Sequence, residues 1–210
     1  RSTLSGGSFD HFEKKRLQKG YFFELNEIRD TQGKVFPCTE GVIRPAAAEA
    51  FPEVTAHGAD HAQVELARDV LRGGAGAGTI VGLYFRENAK AQLRSWTEGF
   101  AGQAGAGAGA RAQQQVQVVE LCVVDSFLFR AGPLKRVLLQ GLRGAPDGIR
   151  SFAAFGKLRD FQHALGISNR LTAYCFLVDG AGRVRWRGSG TATEEEIDKL
   201  RKAVATFGRE

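Results

Sequence analysis

The 210 residues contain only three cysteines, Cys38, Cys122 and Cys175. None forms a Cys-x-x-Cys pair or a close group with histidine, which argues against a disulfide framework and against a zinc site. A reducing compartment fits that usage. No uncharged apolar stretch reaches the ~18 residues that a transmembrane helix requires, so the chain is not expected to span a bilayer by itself. No Gly-rich stretch leads into Lys-Ser or Lys-Thr, so a phosphate-cradling loop is unsupported. His57 and His61 would share a face only in a helix; Gly58 lies between them and no third ligand is near, so a solvated loop is expected rather than a metal site. His11 and His163 are isolated. Acid is also in short supply: 23 Asp and Glu against 29 Lys and Arg give a net charge of +6 and an isoelectric point near 9.5. That balance favours acidic partners such as RNA, anionic lipid or acidic protein.

What is present is globular. Hydrophobic residues at 43% and charged residues at 25% suit one domain with appendages, or at most two small ones. Residues 1–8 are Ser/Gly-rich and lack acids, as the remnant of a transit peptide would be. The Gly/Ala runs at 73–78 and 105–110 carry no core-forming side chains and read as spacers or insertions. Leu17, Tyr21, Leu25 and Ile28 recur at helical spacing, so a helix is expected from Asp10 to Arg29. Pro37, Pro45 and Pro52 restrict residues 35–54 to short pieces, including one helical turn opened by Pro45. Residues 1–72 therefore read as an N-terminal helical arm. Residues 79–210 read as a folded domain interrupted near 101–112.

In that domain, Thr79–Phe85 and Val116–Val124 suit buried strands, with a helix from Asn88 between them presenting Leu93, Trp96 and Phe100 to the core. Pro133 opens a helix with Leu134, Val137 and Leu138 inward, and Ser151–Leu165 reads as another, stopped by Gly166. Ala173–Val178 and Arg183–Arg187 form a hairpin through the Asp179-Gly180-Ala181-Gly182 turn. Thr193 to Glu196 is a capping box for a final helix with Ile197, Leu200, Val204 and Phe207 inward. The order β, α, β, α, α, β-hairpin, α predicts an α/β fold: a thioredoxin-like mixed sheet flanked by helices.

The chemistry of that fold is missing. A low-pKa thiolate belongs after the first strand, at the start of the following helix, yet Phe85-Arg86-Glu87-Asn88 holds no thiol. A proline belongs before the third strand, where Leu171-Thr172-Ala173 stands. Cys122 and Cys175 read as small buried strand hydrophobes. Cys38 is open between a structural residue and an exposed reactive one. No catalytic residue, cofactor or small-molecule substrate is expected.

Two surfaces suggest binding. Period-two alternation sets Arg183, Arg185 and Arg187 on one strand face with Val184 and Trp186 on the other. That arginine face fits either a phosphate, carboxylate or acidic segment held in bidentate fashion, or an ordinary solvated hairpin. From Phe129 to Arg159, seven basic residues stand against one acid, Asp147, which is compatible with rRNA although no RNA-binding motif accompanies it.

The run Leu165-Gly166-Ile167-Ser168-Asn169 through the strand Tyr174-Cys175-Phe176-Leu177-Val178-Asp179, then Arg185-Trp186 and Gly188-Ser189-Gly190-Thr191-Ala192, resembles the mitochondrial ATP synthase assembly factor ten family. Weaker similarity extends through Tyr21-Phe22-Phe23-Glu24, Gly33-Lys34-Val35-Phe36 and Ala50-Phe51-Pro52. Departures are Ala173, where glycine commonly precedes the tyrosine, Arg187, where a small residue is usual, and the insertions. The resemblance implies a non-enzymatic chaperone of ATP synthase membrane subunit a, in the mitochondrial matrix and peripheral to the inner membrane. Asn169, Gly188 and Gly190 from this resemblance, together with the hairpin arginines Arg183, Arg185 and Arg187, are the candidates for partner binding, with Tyr174, Asp179 and Trp186 as structural positions. The competing expectation is a ribosomal or ribosome-assembly protein that contacts rRNA through its basic face, and a divergent thiol enzyme stands third.

Overall fold

The computed structural model describes residues 33–72, 78–101, 116–125 and 132–207. The expected helix at 10–29, the leader-like residues 1–8 and most of both Gly/Ala runs lie outside them. Seven strands form one mixed sheet. They are β1 (Thr55–Gly58), β2 (Gln63–Glu65), β3 (Thr79–Tyr84), β4 (Gln117–Val124), β5 (Ile149–Phe155), β6 (Tyr174–Val178) and β7 (Val184–Ser189), in the spatial order β2-β1-β5-β4-β3-β6-β7. The α-helices of the described residues are α1 (Glu87–Ala101), α2 (Gly132–Gly141), α3 (Arg159–Ala164) and α4 (Glu194–Phe207), and Leu66–Leu71 forms a short π-helical segment.

All six residues of β3 are buried, as a β-branched run at the sheet centre requires. β3 and β4 are parallel, joined by the α1 crossover, while β6 and β7 add antiparallel partners. The stretch β4-β3-β6-β7, with α1 and α4 against it, is a thioredoxin-like domain, and the fold is α/β. Side chains alternate between two cores. One face packs Ile80, Val118, Cys175, Leu177 and Trp186 against Trp96 and Phe100 of α1 and Leu200 and Val204 of α4. The other packs Val81, Leu83, Val119, Leu121 and Phe176 against Phe51, Leu66, Val70, Leu71 and Phe161. Gly82 is required where α1 crosses, because a Cβ there would meet the Leu93 side chain at under 3 Å.

Several local expectations hold. The Asp179–Gly182 turn closes the hairpin, with the Gly182 amide donating to the Asp179 carbonyl. Gly166, at φ +66°, ends α3. The Thr193 amide donates to the Glu196 carboxylate and the Glu196 amide to the Thr193 hydroxyl, completing the capping box.

Three differ. Ile149–Phe155, expected at the start of a helix, is instead the strand β5, parallel to β4. Its Phe152, Ala153 and Ala154 are buried consecutively because both sheet faces are covered, which erases the two-residue period that marks a strand. The helix of this region shrinks to Arg159–Ala164. In α2, Leu134 and Val137 are exposed, and Leu139 is the buried residue. The helix is phased so that Lys135 and Leu139, four apart, face the β1–β5 edge, with the Lys135 ammonium over the Phe155 ring. Finally, β1 and β2 form an unforeseen hairpin that extends the sheet from β5. Thr-Ala-His-Gly is too short and too polar to signal a strand alone; pairing with the free edge of β5 supplies what propensity lacks. The single helical turn opened by Pro45 is present at Pro45–Ala47.

Candidate functional site

Where a thioredoxin-type enzyme would carry its reactive thiol, the C-terminal ends of β3 and β4 carry charge. Asp125 follows β4, accepts a hydrogen bond from Arg170 at 2.8 Å and lies 3.9 Å from Arg86, which precedes α1. Ahead of β6, the Thr172 hydroxyl is within reach of the Gly33 carbonyl (2.8 Å) and the Gln92 amide oxygen (3.0 Å), and the Ala173 amide donates to the same Gln92 oxygen. These contacts occupy the ground where a nucleophile and its substrate would meet. Cys38 and Cys175 are buried elsewhere, whereas Cys122, half-buried near the end of β4, packs beside Tyr84, Ala89 and Ala173. Burial raises the pKa of Cys175, raises that of Cys122 to about 11 against an opposing hydrogen bond from Tyr84, and raises that of Cys38 together with the nearby Glu196 charge. None is poised as a thiolate near neutrality.

Most of the candidate residues share one task, fastening residues 33–51 along β7. This segment covers the sheet edge: the Thr39 amide donates to the Arg187 carbonyl, Ile43 to Arg185, and Phe51 to Gly182, while the Val184 amide donates to the Glu49 carbonyl. Such pairing removes an open β edge. Trp186 is wholly buried, lies edge-on to Trp96 at 5.6 Å, and donates its indole N–H to the Thr39 carbonyl at 2.7 Å. Trp96 donates to the Gly190 carbonyl. Gly188 is required because a Cβ would stand 2.8 to 2.9 Å from both indoles, and Gly190 because its Cβ would meet the Gly33 carbonyl at 2.6 Å. Asn169 is buried; its side-chain oxygen accepts from the Leu171 amide, and its carbonyl accepts from the Tyr174 hydroxyl.

Asp179 is the hub of the hairpin. It accepts from the backbone amides of Ala181 and Arg183 and pairs with the side chains of both Arg183 (2.9 Å) and Arg185 (3.2 Å). Burial pushes its pKa up, but the hydrogen bonds from Arg183 and Arg185 prevail and hold the carboxyl below its ordinary range. Arg185 is 2% exposed and also donates to the Ile43 carbonyl. The expectation of three guanidinium groups on one open face is therefore corrected. The strand does not alternate throughout: a register shift against β6 at Leu177/Val178 places Val184 in the core with Phe51 and Phe161 and Trp186 in the opposite core with Trp96, so Arg183 and Arg185 turn to Asp179 and Arg187 is the exposed arginine of the three. Its guanidinium lies over the Phe36 ring at 5.0 Å.

Beside Phe36 runs an open groove of about 510 Å3 between residues 34–40 and α4. Lys34 bonds the Thr191 carbonyl and Glu196 across it, and Lys199 pairs with Glu40 and Glu195. The Gly33-Lys34-Val35-Phe36 resemblance was the one sequence signal for this groove; Glu40, Glu195 and Lys199 gave none. Of the basic residues between 129 and 159, Arg136, Arg143, Arg150, Lys157 and Arg159 are exposed, while Arg130 lies outside the described residues.

Among the described residues no helix is long and apolar enough to cross a membrane. No curated protein matches the chain. Solved structures similar to it include a putative thiol:disulfide interchange protein DsbE from Chlorobium tepidum, with 15% identity over 77% of this chain and 97% of that one and a TM-score of 0.49. A putative protein disulfide isomerase from Bacteroides thetaiotaomicron shares 17% over 85% and 94%, TM-score 0.47. BsSco, of the Sco family of cytochrome c oxidase assembly proteins, shares 13% over 79% and 98%, TM-score 0.48. At such identities no activity transfers. The family model described as ATP10 protein, by contrast, matches residues 14–207, nearly the whole chain, and the chain belongs to this family of ATP synthase assembly factors.

Proposed function

We propose that the protein is a non-enzymatic assembly factor of the mitochondrial ATP synthase, working in the matrix at the inner-membrane surface, where it holds membrane subunit a during assembly. The family match over residues 14–207 carries this reading. The raised thiol pKa values and the ion pairs at the ends of β3 and β4 support a redox-inactive scaffold. Partner contact is assigned to Arg187 and the adjoining groove. Arg183, Arg185, Gly188 and Gly190 contribute by fixing the segment that forms the groove wall, and Asn169 by holding the Leu171 amide and the Tyr174 hydroxyl ahead of β6. The exposed basic run Arg136, Arg143, Arg150, Lys157 and Arg159 favours the second reading, rRNA binding.

The test is titration of the wild type and Arg187→Gln with newly made subunit a and with mitochondrial rRNA. Arg187→Gln is expected to weaken capture of subunit a while shifting stability by less than about 0.5 kcal/mol, as an exposed side chain should. Tight, salt-steep rRNA binding with no affinity for subunit a would favour the ribosomal reading instead. A triple Cys38→Ala, Cys122→Ala, Cys175→Ala variant is expected to complement cells lacking the protein, with a stability loss of about 1 kcal/mol. Alanine avoids burying an unpartnered hydroxyl in the Cys175 site. A variant that accumulates normally yet fails to complement would mean a thiol is needed.

A further inference from the structure

We propose that the pocket between the β1–β2 turn and α2 is a binding site for a phosphate group. It lies at the end of the sheet opposite β7, does not rest on the assembly reading, and involves none of the residues used there. The cavity is about 280 Å3, and four basic side chains line it: His57 and His61 from the hairpin, Lys135 and Arg136 from α2. Gln63 and Gly132, the first residue of α2, complete the polar part of the wall, and among the described residues no carboxylate lines it. The acid closest in sequence, Asp60, directs its Oδ1 to the Ala62 amide.

Lys135 Nζ lies 3.2 Å from His57 Nε2, which puts an ammonium against a ring that would itself be cationic if protonated. Burial first, and the Lys135 charge next, hold the His57 pKa below its ordinary value, with His61 contributing through opposing effects. The ring is therefore neutral near pH 7 and accepts from Lys135 through Nε2. His61 sits at φ +69°, a backbone region that bulky side chains rarely take. Lys135 and Arg136 together bring two permanent positive charges to one concave surface. An oxyanion neutralises both, and its presence favours imidazolium at His57 as well. Donors converge from two elements on opposite sides, which suits a tetrahedral phosphate with oxygens in several directions better than a planar carboxylate.

The phosphate has two possible sources, a free phosphate ion or the headgroup of an anionic phospholipid, and the experiment separates them. Imidazole NMR signals are followed during titration with inorganic phosphate, with His163, on α3 and outside the pocket lining, as the internal reference. The His57 signal is expected to move saturably, and its protonation midpoint to rise, while the reference stays. Lys135→Gln with Arg136→Gln is expected to weaken binding at least about tenfold; Lys202→Gln, on the exposed side of α4, should leave it unchanged. Circular dichroism checks that each variant is folded. In a parallel measurement the protein is sedimented with vesicles of phosphatidylcholine, with and without phosphatidic acid. Sedimentation only with phosphatidic acid, reversed by phosphate, assigns the site to a lipid headgroup; a phosphate response without sedimentation assigns it to the free ion. A His57 signal that fails to saturate, or that responds equally in the double variant, overturns the proposal, as does a response to an RNA oligonucleotide alone.

Discussion

Replacing Trp186 by alanine is expected to lower stability by about 3 to 5 kcal/mol, the cost of truncating a buried aromatic side chain. Three losses combine at this position. A fully buried indole leaves a cavity in the core between β7, α1 and α4. The edge-on contact with Trp96 at 5.6 Å disappears. The Thr39 carbonyl loses the indole donor, so the cover over β7 loosens at its middle. A domain of this size holds about 5 to 15 kcal/mol in all, so the variant should be marginal. Trp186→Phe separates the contributions: it keeps most of the apolar volume and loses the hydrogen bond, for which about 1 kcal/mol is expected on top of the smaller packing loss. Urea unfolding followed by circular dichroism measures both. A cost below about 1 kcal/mol for the alanine variant would mean that the indole does not anchor β7 to α1 and to residues 39–51.

The sequence made this corner of the molecule easier to read than the middle. The Asp179-Gly180-Ala181-Gly182 turn and the Thr193 capping box are decided by residues a few positions apart, so local chemistry suffices to find them. β5 was hidden because its neighbours lie on both faces and both sides. A strand wedged between β4 and β1 buries Phe152, Ala153 and Ala154 together, and the alanines match a helix as well as a strand. The phase of α2 was misread because its pattern offers two apolar faces, and the choice between them depends on His57 and Phe155, far away in the chain. Arg185 shows the same limit most clearly. Alternation would set it beside Arg183 and Arg187 on one face, but the register shift between β6 and β7 breaks the period, and the guanidinium is buried between Asp179 and the Ile43 carbonyl, 142 residues earlier. The missing thiol, in contrast, was legible outright, because it depends on one short stretch after β3. The groove beside α4 was not, since its walls come from opposite ends of the chain and only Lys34 carried a hint.

Asp179→Ala should cost about 3 kcal/mol, because removing one member of a buried ion pair strands the other charge. Arg185 would retain its bond to the Ile43 carbonyl but lose a carboxylate at 3.2 Å, in a site where 2% of the side chain meets solvent. The hairpin turn would lose two backbone acceptor contacts as well, those to Ala181 and Arg183. The contribution should also follow pH with a definite sign. The folded-state pKa of Asp179 lies below its ordinary value of 3.8, so its stabilisation is fully present above that value and fades as pH falls through the folded pKa. Other carboxylates titrate in the same range, so the informative quantity is the difference between wild type and variant. That difference should be constant from neutrality down to about pH 4 and shrink below it. Asp179→Asn should resemble the alanine variant near neutrality, since the amide preserves shape but not charge, and should approach the wild type in strong acid. A double-mutant cycle with Arg185→Ala gives the coupling directly, about 1 to 3 kcal/mol for groups sharing one network. A coupling near zero at neutral pH, or a wild-type advantage that persists unchanged in strong acid, would show that the Asp179 carboxylate does not hold Arg185, and that backbone pairing alone fastens residues 39–51 to β7.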